Sequence, residues 1–288
     1  MPEKIKIVTD STTSLTKDEC EKMGIVCLET TFMIDGVEHH EFDNDNASLT
    51  DFYDNLDNAK KIVTGCVNIA TFEECFENLV KDGFCVMYVG LSASLSSTFS
   101  NAKNASDTIN EKYGKKVVGV ADTRCASYGT LILIERIMEL EAQGKSLAEI
   151  EEDISESATK MSVAFVSPDL SFMFKNGRLS ALELGIGKLL KIVPIIYVGE
   201  DGKLKGKDKC IGKILAMRRL KTVFSGFIKN KKHTKCYITS CNMGKEVEEL
   251  RKYISSNTDI KYEDIKTGLI DKTLSCHCGP KTVAIFCL

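Results

Sequence analysis

The stretch CVMYVGLSASLSST at residues 85–98 joins a short apolar run of the buried-strand type to a loop rich in serine. Two further stretches have the same character, TDSTTS at 9–14 and ADTRCAS at 121–127, and each also follows an apolar run. Open α/β sheets bind ligands at the edge where their parallel strands end. Hydroxyl groups and helix N-termini at that edge favour an acidic small molecule held by neutral donors.

Outward from these loops, strand-like and helical patterns alternate from residue 5 to about residue 155. This alternation predicts an α/β fold with an N-terminal, mainly parallel sheet and helices on both of its faces. The polar segment 144–160 looks like a short solvated helix and a natural boundary. Strand-like and helical runs continue beyond it, including a helix over 180–190, and predict a second α/β domain. We therefore expect two domains, residues 1–157 and 158–288.

The composition is that of a soluble globular protein, with 43% hydrophobic and 27% charged residues in a chain of 288. The net charge of −3 supports neither nucleic acid nor an anionic membrane surface as a general partner. Any membrane contact is expected to be transient. The N-terminal residues MPEKIKIVTD lack the apolar region of a signal peptide, and the most apolar window, 189–198, is too short to span a bilayer. We expect a cytoplasmic protein.

Twelve cysteines are a high number for a chain of this length. In a cytoplasmic protein we expect them to be reduced and to serve mostly as small apolar side chains. No CxxC pair is present, and the cluster Cys276-His277-Cys278, with Cys287 nearby, has no standard zinc spacing. We therefore predict neither a metal site nor a cofactor.

The serine-rich loop at 90–98 allows three interpretations. The segment GLSAS at 90–94 resembles the nucleophile elbow of serine hydrolases but lacks the glycine that the elbow needs at position 94. A hydrolase of lipid esters would use Ser92 or Ser96 with His277, and Asp122 could supply the acid. The loop could also serve only as the N-cap of a helix over 96–112, or as a ligand site that caps this helix as well.

Three residues outside this loop are further candidates. Thr64 lies just before a helix that Asn68 is expected to cap, so its hydroxyl would be free in a loop. Arg178 follows an Asn-Gly turn and is either an exposed loop residue or a group offered to an oxyanion or phosphate. His277 is expected in a turn before the last strand, as a capping residue or as a site residue.

Seven segments, in order along nearly the whole chain, resemble the motifs of the DegV family. The segment SASLSSTF at 92–99 resembles the family pattern Ser-Ser-x-Leu-Ser-Gly-Thr-Tyr, and NGRLS at 176–180 resembles Gly-Gly-Arg-Ile/Leu-Ser. The other five segments are 8–14, 64–68, 122–129, 187–194 and 277–281. No single motif is decisive, and the order of all seven makes the resemblance specific.

The resemblance implies a two-domain DegV-like fold with a ligand tunnel between the domains. It also implies a non-catalytic, fatty-acid-binding subunit of bacterial fatty acid kinase, with a role in phospholipid metabolism. By position, Thr64 and Ser96 would hold the carboxylate of the fatty acid, and His277 and Arg178 would lie near it, where the kinase engages. The ligand would be a long-chain fatty acid such as palmitate or oleate. The ATP-dependent kinase subunit would convert it to an acyl phosphate.

The chain departs from the family pattern at three places. The family's Ser-Gln-Pro-Ser after the threonine is Gly-Cys-Val-Asn after Thr64, and Ser97 replaces a glycine. The segment Lys209-Cys210-Ile211 lacks the arginine of a family Lys-x-Arg at the kinase-facing surface. We therefore expect this chain to share the carboxylate binding of the family more securely than its partnership with a kinase.

Overall fold

The computed structural model of the chain describes residues 4–43, 48–179, 192–199, 201–228 and 235–288. The helix expected over 180–190 lies outside these ranges, as does most of the segment 187–194 that belongs to the family resemblance. None of the helices within the described ranges is both long enough and apolar enough to cross a membrane.

A parallel four-stranded sheet forms in the N-terminal half, as the alternation of patterns predicts. Its strand order is β2-β1-β6-β7, and every neighbouring pair is parallel. The strands are β1 (Ile5–Asp10), β2 (Val26–Leu28), β6 (Cys85–Val89) and β7 (Val118–Ala121). Nearly all residues of β1, β6 and β7 are buried, which is expected where helices cover both faces of a parallel sheet.

Helices cover both faces of this sheet. On one face, α3 (Ile69–Lys81) and α4 (Thr98–Tyr113) share a hydrophobic core with β6. On the other face, α5 (Tyr128–Ala142) and α6 (Leu147–Lys160) form a second core. The first helix, α1 (Lys17–Met23), begins after Thr16, whose side chain forms a capping box with Glu19.

The segment 144–160 is not the short solvated helix that its polarity suggests. α6 buries Leu147, Ile150, Ile154 and Ala158 against the four-stranded sheet. These positions form a narrow apolar stripe, and the many acidic residues around it conceal the stripe in the sequence. Along the chain, the strands of the four-stranded sheet precede α6 and those of the six-stranded sheet follow it. The division into domains at residues 157 and 158 stays a proposal.

A small antiparallel sheet of order β4-β3-β5 precedes α3. It consists of β3 (Thr31–Ile34), β4 (Val37–His40) and β5 (Ile62–Thr64), and α2 (Leu49–Leu56) packs against it. The β3–β4 hairpin turns at Asp35-Gly36, with both residues at positive φ, as an Asp-Gly sequence favours. β5 was not predicted, and it makes Thr64 the last residue of a strand instead of a free loop residue.

The C-terminal half contains a six-stranded sheet of order β10-β9-β8-β13-β11-β12, in which only β11 and β12 are parallel. Its strands are β8 (Ser162–Val166), β9 (Ile192–Val198), β10 (Leu204–Ile211), β11 (Cys236–Ser240), β12 (Lys266–Leu269) and β13 (Val283–Cys287). The two edge strands, β10 and β12, were not predicted. Their sequences LKGKDKCI and KTGL are polar, because an edge strand needs few buried side chains.

Helices α8 (Lys213–Ile228) and α9 (Gly244–Asn257) share a core with the six-stranded sheet. Two short helices, α7 (Ser171–Lys175) and α10 (Lys272–Cys278), contact each other. α10 corrects the expectation that His277 lies in a turn, since this histidine is in the last turn of a helix.

α5 packs against both main sheets. Tyr128 and Leu131 share a core with Phe286 of the six-stranded sheet, whereas Leu133 and Ile137 belong to the core under the four-stranded sheet. The helix is therefore apolar around most of its circumference, as a helix enclosed on two sides must be. α5 fixes the two sheets relative to each other.

Candidate functional site

A cavity of about 120 Å³ lies between the loops of the four-stranded sheet and the six-stranded sheet. A single water needs roughly 10–15 Å³. The cavity is therefore much larger than the space for one solvent molecule and suits an extended ligand. Its walls are mostly apolar, and both halves of the chain contribute to them. The apolar residues on the two sides include Leu91, Leu95, Val163, Phe165, Ala284 and Phe286.

The three hydroxyl-rich loops meet at this cavity. They contribute Thr12 after β1, Ser96 after β6 and Ser127 after β7. The structure thus brings together loops that are up to 115 positions apart in the sequence, because their strands are parallel neighbours.

Asp10 fixes the relative position of two of these loops. It is fully buried, and its carboxylate accepts hydrogen bonds from the Thr12 N–H at 3.0 Å, the Tyr88 hydroxyl at 2.7 Å and the Leu91 N–H at 3.1 Å. A Cβ atom at Gly90 would lie 2.1 Å from Asp10 Oδ2, so only glycine allows this close approach. Asp10 is therefore a positioning residue, which explains why an Asp-Ser pair follows the first strand.

Thr64 and His277 form a hydrogen-bonded pair in the cavity wall. The Thr64 Oγ1 atom lies 2.8 Å from His277 Nε2. β5 ends at Thr64, and α10 places His277 in its last turn, so an edge strand and a short helix bring together residues 213 positions apart. His277 Nδ1 is buried and has no hydrogen-bond partner within the described part of the chain.

The histidine is neutral at physiological pH. Burial, and to a lesser extent the charge of Arg178, lowers the pKa of His277 to about 4. The Arg178 guanidinium donates to the Asn176 carbonyl at 2.6 Å and to the Leu95 carbonyl at 3.2 Å. These contacts hold an exposed arginine at the wall that Thr64 and His277 share.

Ser96 lines the cavity and bonds the first residue of a helix. Its Oγ atom accepts the Thr98 N–H at 3.2 Å at the start of α4 and lies 3.0 Å from Thr98 Oγ1. The N-cap position of α4 is Ser97, whose side chain makes no capping hydrogen bond. Ser96 thus satisfies one N–H at the helix start from the position before the N-cap, and its role as a ligand residue stays a prediction. Thr64, Ser96, Arg178 and His277, the four residues singled out from the sequence, all line the same cavity.

The serine hydrolase arrangement is not assembled. Ser92 is fully buried, and its hydroxyl accepts the Ser94 N–H at 3.3 Å and donates to the Gly202 carbonyl at 3.5 Å. His277 Nε2 is bonded to Thr64, and Asp122 accepts the N–H groups of Ala93 and Arg124. Neither Ser92 nor Ser96 thus contacts a histidine base within the described part of the chain, which removes the support for a lipid-ester hydrolase.

A buried network of hydroxyl and carboxyl groups, missed in the sequence, surrounds another part of the cavity. Ser14 Oγ lies 2.7 Å from Ser127 Oγ and donates to Asp271 Oδ2 at 2.7 Å. In a second branch, Thr273 donates to Glu41 Oε2 at 2.8 Å. Burial raises the pKa of both carboxyl groups, which favours their neutral forms. Ser14 and Ser127 belong to hydroxyl-rich loops that the sequence shows, whereas no local pattern marks their partners Glu41, Asp271 and Thr273.

The cysteines differ from the expectation at one pair. Cys236 and Cys287 lie opposite each other on β11 and β13 and form a disulfide bond, so the expectation that all cysteines are reduced is wrong here. The direct cross-strand register brings the two Cβ atoms close enough for this bond. The ten other cysteines form no disulfide bond. Across the described ranges, no group of three or more His, Cys, Asp or Glu side chains is arranged to hold a metal ion.

Comparison with known proteins assigns the fold to a family. A model described as that of uncharacterised proteins of the DegV family matches residues 4–288. The chain belongs to the DegV family. A DegV domain-containing protein of Clostridium perfringens is 30% identical over 287 residues, which cover 99% of this chain and 97% of that relative.

Solved structures of DegV proteins share the fold and confirm the predicted fold class. One, described as a fatty-acid-binding DegV family protein from Thermus thermophilus, has a TM-score of 0.85 at 22% identity and covers 99% of both chains. A stearic acid-binding protein from Eubacterium ventriosum has a TM-score of 0.86 at 19% identity and covers 98% of this chain and 97% of its own.

Proposed function

We propose that this DegV protein binds a long-chain fatty acid such as palmitate or oleate. The observation that carries the proposal is an apolar cavity whose wall contains the Thr64–His277 pair beside Ser96 and Arg178. Apolar walls suit an acyl chain, and the neutral polar groups suit its carboxylate. The fatty acids bound by structural neighbours of the same fold support the same ligand class.

Thr64 and Ser96 hold the carboxylate in this proposal. A hydroxyl has one hydrogen, so Thr64 can donate to the ligand only if it accepts from His277. The neutral histidine then carries its hydrogen on Nε2, the atom 2.8 Å from Thr64 Oγ1. His277 thereby orients the Thr64 hydroxyl without placing a positive charge next to the carboxylate.

The acyl chain supplies most of the affinity. Burying about 15 methylene groups at ~0.8 kcal/mol each gives an upper limit of about 12 kcal/mol, before the costs of association and ordering. The carboxylate then needs only to have its hydrogen bonds satisfied, and hydroxyl and backbone N–H groups suffice. A buried ion pair is not required for tight binding.

The protein on its own catalyses no reaction in this proposal and presents the carboxyl group to an ATP-dependent fatty acid kinase subunit. A carboxylate oxygen attacks the γ-phosphorus of ATP held by that partner, the bond between this phosphorus and the β–γ bridging oxygen breaks, and ADP leaves. The product is an acyl phosphate, an activated acyl donor for phospholipid synthesis. The exposed Arg178 and the neighbouring His277 lie on the side that meets the kinase.

Mass spectrometry of the extracted ligand tests the binding step. The purified protein is denatured in organic solvent, and we expect close to one long-chain fatty acid per chain. Delipidated protein should then bind added palmitate in a calorimetric titration, and it should leave a chromogenic ester intact. Absence of both extracted and added fatty acid would refute the proposal, and turnover of the ester would revive the hydrolase.

The kinase step is tested separately with Arg178→Ala. The guanidinium is exposed and held by two carbonyl groups, so its loss removes little buried surface. We expect palmitate affinity within about threefold of wild type, under ~1 kcal/mol, because the chain dominates binding. Acyl-phosphate formation by a cognate kinase should fall by tenfold or more. Lost palmitate affinity with unchanged turnover per bound lipid would make Arg178 a ligand clamp instead.

A further inference from the structure

A second cavity, of about 470 Å³, adjoins the first and shares Thr64 and Arg178 with it. Unlike the apolar cavity, it is lined by charged groups. Lys60, Lys61 and Lys175 join Arg178 in its wall, and we call these four residues the cationic pocket. The two carboxylates in the same wall, Asp57 and Asp169, leave a formal excess of two positive charges, although the chain as a whole carries −3.

The four cations of the pocket have no ion-pair partner among the residues that the structure describes. Sixteen ion pairs are formed elsewhere in the same part of the chain. Three lysines and an arginine around one cavity repel each other, and this repulsion is relieved when an anion enters. The pocket therefore attracts a ligand with more than one negative charge.

The backbone around the pocket is fixed by hydrogen bonds. The N–H groups of Lys60 and Lys61 donate to Asp35 Oδ1 at 3.0 and 2.8 Å, which sets the chain just before β5. The Asn176 side chain donates to the Cys276 carbonyl at 3.0 Å, and the Asn176 carbonyl accepts from Arg178. One segment of the pocket wall is thus anchored to the β3–β4 turn, and the other to α10, which carries His277.

We propose that the cationic pocket binds the phosphate group of an acyl phosphate whose acyl chain remains in the apolar cavity. This inference rests on the proposed function. A fatty acid carries one negative charge, which neutral donors can satisfy, whereas a phosphate monoester carries about −1.5 to −2 at pH 7. Thr64 lies in both walls, so a phosphate attached to a carboxyl oxygen held there extends towards the cations. Arg and Lys are the side chains that pair with phosphate oxygens.

The test compares two ligands with the same number of carbon atoms and different head groups. Delipidated wild-type protein is titrated at about pH 8.5 with palmitate and with hexadecylphosphonate, a stable analogue of the acyl phosphate whose head group is mostly dianionic at that pH, while the lysines remain charged. The double variant Lys60→Ala/Lys61→Ala should bind the phosphonate at least tenfold more weakly and palmitate within twofold of wild type. Lys175→Ala should show the same selectivity to a smaller degree, and Lys60→Arg/Lys61→Arg should restore phosphonate binding.

Controls separate charge in the pocket from charge in general. Lys17 and Lys22 are exposed lysines of α1 that line neither cavity, so Lys17→Ala/Lys22→Ala should leave both affinities within twofold. Inorganic phosphate at 1 mM should not bind palmitate-loaded protein, because it lacks the buried chain. Stoichiometric binding of inorganic phosphate would make the pocket a site for free phosphate and overturn the inference.

The outcomes distinguish this inference from the proposed function. If wild-type protein binds neither palmitate nor the phosphonate, the proposed function itself fails. If it binds palmitate but the lysine variants change phosphonate affinity by less than threefold, only the inference about the cationic pocket is wrong. Equal losses for both ligands also contradict it, since the pocket would then not distinguish a phosphate from a carboxylate.

Discussion

Thr64, a single hydroxyl on a short edge strand, connects the two cavities of this protein. It lies 2.8 Å from His277 in the apolar cavity and is also part of the wall of the cationic pocket. A carboxyl group at this position would be bound by neutral donors on one side and face cations on the other. The position, more than the residue type, gives Thr64 its proposed role.

Removing the hydroxyl at Thr64 or Ser96 should weaken fatty-acid binding. Thr64→Val keeps the side-chain shape, and Ser96→Ala removes only the oxygen. A hydrogen bond to a charged group is worth about 1.5–3 kcal/mol, so each variant should bind palmitate roughly 10- to 150-fold more weakly in a calorimetric titration. The double variant should lose less than the sum, because both hydroxyls bind one carboxylate.

Ser100→Ala provides the matched control for these variants, since Ser100 is an exposed serine of α4 outside the cavity. It should bind palmitate like the wild type. Unchanged affinity in both Thr64→Val and Ser96→Ala would place the carboxylate elsewhere in the cavity.

His277 should make stability depend on pH between about 6.5 and 4. Its pKa is near 6.5 in an unfolded chain and about 4 in the folded protein, because burial disfavours the charged form. In that window the unfolded chain binds a proton that the folded chain does not. The contribution of His277 to the free energy of unfolding is therefore fully present above pH 6.5 and is lost as the pH falls towards 4. The loss between pH 7 and pH 5 is about 2 kcal/mol.

Denaturant unfolding of delipidated wild type and His277→Gln at pH 7 and pH 5 measures this contribution. Two buried carboxyl groups, Glu41 and Asp271, act in the opposite sense, because their raised pKa values favour the folded state at low pH. They remain in the variant, so the difference between the two proteins isolates the histidine. Equal pH dependence in both proteins would show that His277 titrates normally.

At the scale of elements, the N-terminus of α10 determines where His277 lies. Asp271 caps this helix by accepting the Leu274 N–H at 2.7 Å, and it also accepts the Ser14 hydroxyl at 2.7 Å. Gly279, at φ 76° and ψ 164°, ends the helix in a conformation that other residues avoid. The seven-residue helix is thus held at both ends, and its last turn carries the histidine.

Asp271→Asn and Asp271→Ala should differ in stability. Burial raises the pKa of Asp271, so the neutral Asn side chain resembles the form that the site favours, and we expect it within about 1 kcal/mol of wild type. The Ala variant loses a helix cap and removes one of the two side-chain hydrogen-bond partners of Ser14, which should cost about 2–4 kcal/mol. Denaturant unfolding at pH 7 measures both. Equal destabilisation by Asn and Ala would mean that the carboxylate is charged.

At the scale of the molecule, the cavity lies where the two main sheets face each other across α5. Packing in protein interiors is normally close to that of organic crystals, so an apolar cavity of about 120 Å³ lowers the stability of the delipidated state. The arrangement is stable because α5 belongs to the cores of both sheets. A ligand that fills the cavity restores the missing contacts.

Fatty acid should therefore stabilise the whole protein against heat. A ligand at 100 times its Kd adds about 2.7 kcal/mol to the free energy of unfolding. For a chain of 288 residues this corresponds to a rise in Tm of about 4 °C. Calorimetric scans of delipidated protein with palmitate should show this rise, and hexanoate at the same concentration should not. An unchanged Tm with saturating palmitate would mean that the ligand does not fill the cavity.

The sequence by itself determined the parallel sheet, the loops at its carboxyl edge and the capped starts of helices such as α1 at Thr16. These features depend on hydrophobic periodicity and on hydrogen bonds between residues a few positions apart, so they are visible in a short window. Through its ordered motifs the sequence also named Thr64, Ser96, Arg178 and His277, which line one cavity. Their roles in binding remain predictions.

Tertiary structure alone decided how these residues meet. The Thr64–His277 pair needs a three-residue edge strand and a seven-residue helix that no local pattern marks, and the hydroxyl network joins Ser14 to Asp271 across 257 positions. The cationic pocket likewise joins lysines before β5 to Lys175 and Arg178 after a distant strand. Contacts between residues so far apart in the sequence depend on how the sheets pack. The sequence around one side chain carries no signal of the partner that it meets across a cavity.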